Sequence, residues 1–408
     1  MSLGFNIRSS LVRLAGAVLA LGASAALAQA PGERSAVIAK DCDYDCLVGF
    51  VRGYMEALEQ RDPSRVRFAP DVRFTENNVE MPLGDHGLWA TITAVKDEGL
   101  IAADTTTGGG AWIGHVEEHG LPVYYGMRLL VRDQAIVEVE TVVVRNTGLP
   151  LPWGDVSKLE HDPAFAEILP PEQRRPRERL IAVADSYFDT VELNDGVVFA
   201  PFDPDCGRLE NGILTTSASA SSAGSIAEGC EPQLRLGLYR INKRIRERRY
   251  PVVDVERGVV VATAFFDHAN EFDTYYTTDG VERKTLLKWP NSISLVEAFK
   301  IRDGRIYRIE AVFTYVPYFM PSPFYTHPAP PPPPPAERGA PVEPCDSECL
   351  IAIADDYMEA LVRREPDGLA WAPQVKFTEN SVPMMIGDGL WGSIRGKADE
   401  ALRVADPH

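Results

Sequence analysis

The sequence is poor in positive charge. Its 41 Lys and Arg residues face 59 Asp and Glu residues, which gives the 408-residue chain a formal net charge of −18. Because an acidic protein repels polyanions, binding to nucleic acid or to an anionic membrane is excluded as the main activity. Beyond its first residues the chain also lacks any run of about 18 uncharged apolar residues, so no later segment would anchor it in a bilayer.

The common catalytic fingerprints are missing as well. There is no G-x-S-x-G elbow, no Walker loop and no dinucleotide fingerprint, so we expect no cofactor. His115 and His119 fit the H-x-x-E-H string of a zinc protease, but the glycines around them indicate a strand and its turn. In a strand these histidines would lie about 13 Å apart, too far to share one zinc ion.

The first residues have the pattern of an export signal. Arg8 and Arg13 precede the apolar run 14–27, and Ala26-Leu27-Ala28 is a small-x-small cleavage site. We therefore expect residues 1–28 to be a signal peptide, and the product to be periplasmic or secreted with no membrane association after cleavage.

The cysteines agree with an oxidising compartment. Their even number favours disulfides there, although the sequence does not settle the connectivity. A metal or redox site is the alternative, but the two pairs with three residues between their cysteines, Cys42/Cys46 and Cys345/Cys349, have no histidine or third cysteine nearby. Along the chain they form three pairs: Cys42 and Cys46, Cys206 and Cys230, and Cys345 and Cys349.

The chain repeats itself at an offset of 303 residues. Tyr54–Leu58 and Phe74–Asn77 return as Tyr357–Leu361 and Phe377–Asn380, and each copy then reaches Gly-Leu-Trp. A more divergent copy lies between them, and its residues 303–310 parallel residues 133–140 of the first copy. Self-similarity of this kind indicates tandem structural units.

The repeats predict three units and two linkers. The linker before the last unit holds six consecutive prolines and should be a stiff spacer. We expect the first unit over 42–146, a linker over 147–173, the second unit over 174–318, a proline-rich linker over 321–344, and the third unit over 345–408.

The third unit is shorter than the first and stops before any counterpart of the strands that close the first. Two interpretations stay open: the chain is a truncated product, or this piece borrows a sheet from a partner by self-association.

Each unit is predicted to be α+β. In the first, Leu47, Val51, Tyr54 and Leu58 recur at helical spacing, and alternating apolar runs after Gly110 are typical of strands. A long N-terminal helix packed on a curved antiparallel sheet would form a cone.

This order of elements, with the motif Ala-Pro-Asp-Val-Arg-Phe-Thr-Glu-Asn at 69–77, resembles the nuclear transport factor 2-like superfamily, which includes SnoaL-like polyketide cyclases and ketosteroid isomerase. The second unit is similar to an uncharacterised fungal and bacterial domain family of that superfamily. The resemblance implies a conical pocket but no catalytic set that can be matched residue by residue. The residues that carry it are 210–212, 229–230, 248–254, 265–268 and 316–318.

A glutamate followed by asparagine recurs in all three units, at Glu76, Glu210 and Glu379. Strand alternation turns Glu76 toward the interior, where a desolvated carboxylate could serve as a general base. The alternative is that the Glu-Asn step closes a turn or accepts backbone N–H groups. Glu140 and Glu310, repeated in the last strand, could be a second carboxylate or could pair with arginines.

Two further side chains of the second unit are candidates. His268 follows Asp267 at the end of an apolar strand, and histidine titrates in a useful range for acid–base work. Tyr318 could donate a hydrogen bond to a carbonyl or enolate. A structural role is the alternative for both.

The second unit also has a basic stretch. Leu234, Leu238, Ile241 and Ile245 fit a helical stripe over 233–249, with arginines on the other side. Arg248 and Arg249 could attract an anionic ligand, or they could form internal ion pairs.

Two functions remain. One is a cofactor-free lyase or isomerase that binds a small apolar carbonyl compound, with Glu210 or Glu76 as base and His268 or Tyr318 stabilising the product. The other is a non-catalytic module that binds a ligand or packs against other copies.

Overall fold

The computed structural model describes residues 42–148, 152–155, 158–216, 229–285, 287–326, 345–372, 375–399 and 401–407. The predicted signal peptide and the six consecutive prolines lie outside these residues. Within them, no helix has the length and apolar character needed to cross a membrane. The protein is mixed α+β, with several sheets and few helices, as the sequence predicts.

The first unit contains a seven-stranded sheet, ordered β2-β1-β7-β6-β5-β3 with β4 also paired to β5. Its elements are α1 (Tyr44–Glu59), β1 (Phe68–Glu76), β2 (Val79–Glu80), α2 (Leu88–Thr91), β3 (Ile92–Val95), β4 (Leu100–Asp104), β5 (Gly109–Glu118), β6 (Leu121–Arg132) and β7 (Ala135–Arg145).

Helix α1 begins at a capping residue and packs on this sheet. The Asp43 carboxylate accepts the backbone N–H of Cys46 at 3.0 Å, which satisfies a free donor of the first turn. The apolar face predicted from helical spacing, including Leu47, Val51 and Tyr54, is fully buried against the sheet.

The second unit contains a six-stranded sheet ordered β10-β11-β14-β15-β8-β9 and a separate hairpin of β12 and β13. Its elements are α3 (Arg177–Leu193), β8 (Phe202–Glu210), β9 (Ile213–Thr216), α4 (Cys230–Arg235), β10 (Arg244–Asp254), β11 (Val259–His268), β12 (Thr274–Tyr276), β13 (Glu282–Lys284), β14 (Asn291–Arg302) and β15 (Arg305–Val316).

The asparagine of the repeated Glu-Asn step ends a strand in both sheets. Asn77 and Asn211 have left-handed φ angles of 48° and 44°, which asparagine tolerates better than most residues. The Asn211 amide pairs with the backbone of Phe313, donating at 2.9 Å and accepting at 3.0 Å. Asn77 pairs with Val143 in the same way. Turn closure therefore explains why asparagine recurs here.

The helix predicted over 233–249 is wrong. Helix α4 ends at Arg235, and Gly237 follows with a φ of +67°, a conformation that terminates helices. Residues 244–254 instead form strand β10, paired with β11. The apolar spacing also suits a turn followed by a strand, and β-branched Val252 and Val253 favour the strand.

The last described segment is small. It contains α5 (Ser347–Arg363), β16 (Thr378–Glu379), β17 (Val382–Pro383) and α6 (Leu390–Ser393). Its buried cluster consists of Ala360, Leu361 and Trp391, with a few partly buried side chains around them.

Candidate functional site

A cavity of about 520 Å³ lies in the second unit. Its walls are mostly apolar and come from one face of the six-stranded sheet, the segment after α4 and the β12–β13 hairpin. The apolar lining residues are Leu238, Ile241, Phe266, Leu287, Ile293, Leu295 and Phe313. The polar ones include Glu210, Glu297, His268, Asn242, Tyr239, Arg283 and Lys284. This volume is typical of pockets for small molecules.

Two carboxyl groups of this cavity lie in one row across the sheet. Glu210 on β8 pairs in register with Ala311 on β15, and Ala311 pairs with Glu297 on β14. Neighbouring strands are about 4.8 Å apart, so the two glutamate backbones are about 10 Å apart. The small side chain of Ala311, which also lines the cavity, leaves the space between them open.

Glu297 is buried and holds its proton. Its side chain is 2% exposed, and Oε2 has no hydrogen-bond partner among the described residues. Burial raises the pKa of Glu297 to about 8, and the negative charge of Glu210 adds to the rise. The Arg208 cation and a hydrogen bond from the Tyr187 hydroxyl oppose it. Glu297 is therefore predominantly a neutral acid at pH 7.

Glu210, in contrast, lies beside a cation. The Arg208 Nε is 3.2 Å from its Oε2, and the Thr215 hydroxyl donates to the same oxygen at 2.5 Å. Arg208 is itself fully buried, and it donates to the Gln233 side chain at 2.7 Å and to Tyr239. The two carboxyl groups thus have opposite environments, the arrangement that separates a base from an acid.

His268 lines the same cavity with a defined tautomer. The Asn291 Nδ2 donates to the Trp289 carbonyl at 2.9 Å, so its Oδ1 is the atom that faces His268 Nδ1 at 3.2 Å. Nδ1 therefore carries the proton, and Nε2 is the acceptor. Burial lowers the pKa of His268 to about 4, so the ring is neutral at pH 7.

Tyr318 is not among the residues that line the cavity. Its hydroxyl donates to Asp388 at 2.8 Å and accepts from Arg244 at 2.7 Å. Burial raises the pKa of Tyr318, and the Asp388 carboxylate adds to the rise. The structure therefore gives Tyr318 a contact with the last segment of the chain rather than a place beside Glu210.

Glu76 is buried, as its strand phase predicts, but both of its oxygens are occupied. Oε2 accepts the Leu88 N–H at 2.6 Å, and Oε1 lies 3.0 Å from Arg145. The corresponding row of the first sheet runs from Glu76 through Thr141 to Met127, which is fully buried. Apolar packing in the first unit thus occupies the position that a second carboxyl group has in the second unit.

Glu379 repeats the contact that Glu76 makes with the Leu88 N–H, since its Oε2 accepts the Leu390 N–H at 2.7 Å. Glu140 is buried and pairs with Arg128 at 2.8 Å. Glu310 Oε2 lies 2.6 Å from Nδ1 of His161. Glu379 and Glu140 thus make the contacts expected under the structural alternative, whereas Glu310 is buried and pairs with a histidine rather than an arginine.

Arg248 and Arg249 lie among carboxylates of the chain itself. Arg248 contacts Asp185 at 3.2 Å and Asp189 at 2.6 Å, and it also reaches Glu192. Arg249 pairs with Glu140 at 2.5 Å. Internal ion pairs neutralise both charges, so the geometry gives no support to an anion site at these two arginines.

The three predicted cysteine pairs are disulfides: Cys42–Cys46, Cys206–Cys230 and Cys345–Cys349. Such bonds are typical of oxidising compartments. In the part of the chain that the structure describes, no three His, Cys, Asp or Glu side chains are grouped to hold a metal ion.

Two site residues belong to no recognised motif but are identifiable from the pattern of their strands. Glu297 is in phase with Ile293, Leu295 and Phe299, so alternation along β14 turns it inward. Arg208 is in phase with Cys206 in the same way. A charged residue on the apolar face of a strand is the signal that identifies both.

Comparisons with known proteins give a domain family and distant structural likenesses. Residues 173–313 match the family described as Domain of unknown function (DUF8021). These residues cover most of the second unit. No curated protein sequence matches the chain.

Among solved structures, the chain is similar to a candidate isomerase from Bacillus subtilis, at 14% identity over 34% of this chain and 87% of that chain, with a TM-score of 0.23. AusH from Aspergillus nidulans is 15% identical over 34% of this chain and 86% of that chain, with a TM-score of 0.22. PrhC from Penicillium brasilianum is 14% identical over 34% of this chain and 82% of that chain, also with a TM-score of 0.22. Likenesses this distant carry no argument about activity.

Proposed function

We propose that the second unit catalyses proton transfer at a carbon next to the carbonyl group of a small, mostly apolar compound, as a lyase or isomerase. The observation that carries the proposal is the carboxyl pair of the cavity. Glu297 is a buried neutral acid whose Oε2 has no hydrogen-bond partner among the described residues, and Glu210 lies beside Arg208 in the same row.

The two glutamates would have different roles. Glu210 would remove the proton from carbon, since its carboxyl group lines the cavity beside Arg208. Glu297 would donate a hydrogen bond to the carbonyl oxygen and stabilise the enolate that forms, because a neutral carboxylic acid in an apolar site is a strong donor to developing negative charge. His268, neutral and with Nε2 as acceptor, would orient a hydroxyl group of the substrate or product.

The first unit would not share this activity. We propose that the three units are tandem copies of one fold. In the first copy, residues that correspond to the site of the second unit would stabilise the fold instead. Both oxygens of Glu76 are occupied, and Met127 takes the place of an acid in its row.

We also propose that the protein is exported. The three disulfides support this proposal together with the signal pattern of residues 1–28. Mass spectrometry of the protein from its native host should find an N-terminus near Gln29. An intact N-terminus at Met1 in the folded product would contradict export by this signal.

Deuterium exchange tests the enzymatic proposal. Butyrophenone is a small apolar ketone with exchangeable protons beside its carbonyl, and NMR in D2O follows their loss. The wild-type protein should accelerate exchange over buffer, and Glu210→Gln should abolish the acceleration. Glu76→Gln is the matched control and should retain it.

Saturable binding of butyrophenone without any acceleration of exchange would identify the cavity as a ligand-binding module, which is the second candidate function. Equal exchange by the wild type and Glu210→Gln would contradict the role of Glu210 as base.

A further inference from the structure

We infer that the natural ligand of the second-unit cavity is an amphipathic organic acid, whose carboxylate binds to Arg283, Lys284 and the Asn242 amide while its apolar body fills the rest of the space. The inference rests on the proposed function only in taking this cavity as the substrate site.

Arg283 is a cationic residue of the cavity wall. It lies on β13, and its Nε is buried with no hydrogen-bond partner among the described residues. Lys284 follows it and also lines the cavity. In the described part of the chain neither side chain forms an ion pair. Most other described arginines of this acidic protein are paired with a carboxylate, so Arg283 is an exception, whereas Lys284 is exposed on its strand.

Two carboxylates of the hairpin accept hydrogen bonds from groups other than Arg283. Asp279 accepts from the Thr277 hydroxyl at 2.6 Å and from the Val281 N–H at 3.3 Å. Glu282 accepts from the Tyr276 hydroxyl at 2.9 Å. Arg283 helps to lower the pKa of Asp279, but no hydrogen bond joins the two side chains among the described residues, so Arg283 Nε still lacks an acceptor.

A second donor of the cavity lacks an acceptor. Asn242 is 7% exposed, lines the cavity, and its Nδ2 has no hydrogen-bond partner among the described residues. A buried donor left without a partner is unfavourable. Asn242 Nδ2 and Arg283 Nε are both donors, so the group that satisfies them must carry acceptor oxygens. A carboxylate has two, and it also complements the charge of a guanidinium.

The carboxyl groups deeper in the cavity do not exclude such an anion. Glu297 is neutral at pH 7, and the charge of Glu210 is opposed by Arg208. The walls near the hairpin, including Leu238, Ile241 and Leu287, require that the rest of the ligand be apolar. An acid with one anionic end and an apolar body fits both conditions.

A matched series of compounds tests the inference. Butyrophenone, β-benzoylpropionamide and β-benzoylpropionate share the same ketone and differ in whether the chain ends in a methyl group, a neutral amide or a carboxylate. Isothermal titration calorimetry should find that the carboxylate binds the wild type about tenfold more tightly than the amide, as expected for one charge-assisted contact.

Three variants assign that preference. Arg283→Gln should abolish it, and Arg283→Lys, which keeps the charge, should retain part of it. Arg235→Gln should leave it unchanged, because Arg235 is paired with Glu231 on the surface of α4. Glu297→Gln should also keep the preference, since it does not touch the anion-binding end.

These arms separate the two proposals. Equal affinity of the wild type for carboxylate and amide, or a preference that survives Arg283→Gln, would overturn the anion site even if butyrophenone exchanges. A preserved preference without exchange would instead contradict the catalytic proposal alone. Failure of all three compounds to bind would count against both.

Discussion

Glu297 lies next but one to Glu210 across the second sheet, with only Ala311 between them in the register of β14, β15 and β8. Glu210 forms a salt bridge with the buried Arg208, whereas Oε2 of Glu297 has no hydrogen-bond partner among the described residues, so the two groups differ in their contacts although they share a cavity. This relationship is the basis of the proposed chemistry, and it makes several measurable predictions.

The first prediction concerns pH and stability. The pKa of Glu297 is about 8 in the folded protein, above its ordinary value of 4.5, so its favourable contribution is present at low pH and is lost as the pH rises through 8. The slope is about 1.4 kcal/mol per pH unit for one proton. The charged groups that act on Glu297 are Glu210 and Arg208, and the Tyr187 hydroxyl hydrogen-bonds to it.

Glu297→Gln should therefore gain about 2 kcal/mol relative to the wild type between pH 6.5 and pH 8. Urea unfolding at the two pH values measures this change. Glu231→Gln, a surface substitution, should show no such trend. A difference between wild type and Glu297→Gln that does not change with pH would mean that Glu297 is ionised in the folded protein.

The second prediction concerns His268. Burial lowers its pKa from 6.5 to about 4, so the ring contributes stability above pH 6.5 and loses it as the pH falls toward 4. NMR of the imidazole protons should find no titration of this ring between pH 5 and pH 8, and the spectrum of His268→Gln would assign the resonance. A midpoint near 6.5 would contradict the buried neutral ring.

The third prediction separates structure from catalysis in the two units. Glu76→Gln should destabilise the first unit by about 1–3 kcal/mol, because it weakens contacts to Arg145 and to the Leu88 N–H. Urea unfolding measures the loss, and the exchange rate of butyrophenone should not change. An exchange rate that falls with Glu76→Gln in folded protein would place activity in the first unit.

The fourth prediction concerns the disulfides. Cys206–Cys230 joins residues 24 apart and Cys42–Cys46 joins residues 4 apart. Replacement of both cysteines by alanine should cost about 3 kcal/mol for the longer loop and about 2 kcal/mol for the shorter one. Denaturant midpoints measure the two losses. A larger loss for the short loop would show that strain or unfolded-state structure outweighs loop entropy.

Much of the fold could be predicted from the sequence because its periodicities are local. Helix α1 is a case: the spacing of Leu47, Val51 and Tyr54 and the cap at Asp43 suffice to place it. The stretch over 233–249 shows the limit. Its apolar residues fit a helix as well as a turn and strand, and only the left-handed conformation of Gly237 decides between them.

Only part of the candidate site could be predicted from the sequence. Glu210 and His268 could be identified from local patterns, and Glu297 from its strand phase. Their proximity in one cavity could not be predicted, because the pairing of β8, β15 and β14 depends on tertiary structure and not on any single segment. Tyr318 illustrates the same limit, since its partner Asp388 comes from a part of the chain 70 residues away.

The most direct test of the central claim is the exchange of the protons beside the carbonyl of β-benzoylpropionate in D2O, followed by NMR with wild type, Glu210→Gln, Glu297→Gln and Tyr318→Phe. We predict catalysed exchange by the wild type and by Tyr318→Phe. Glu210→Gln should show none, and Glu297→Gln should show a reduced rate, because an amide N–H is a weaker donor to developing negative charge than a carboxylic acid. Equal rates for the wild type and both folded glutamate variants would contradict the account.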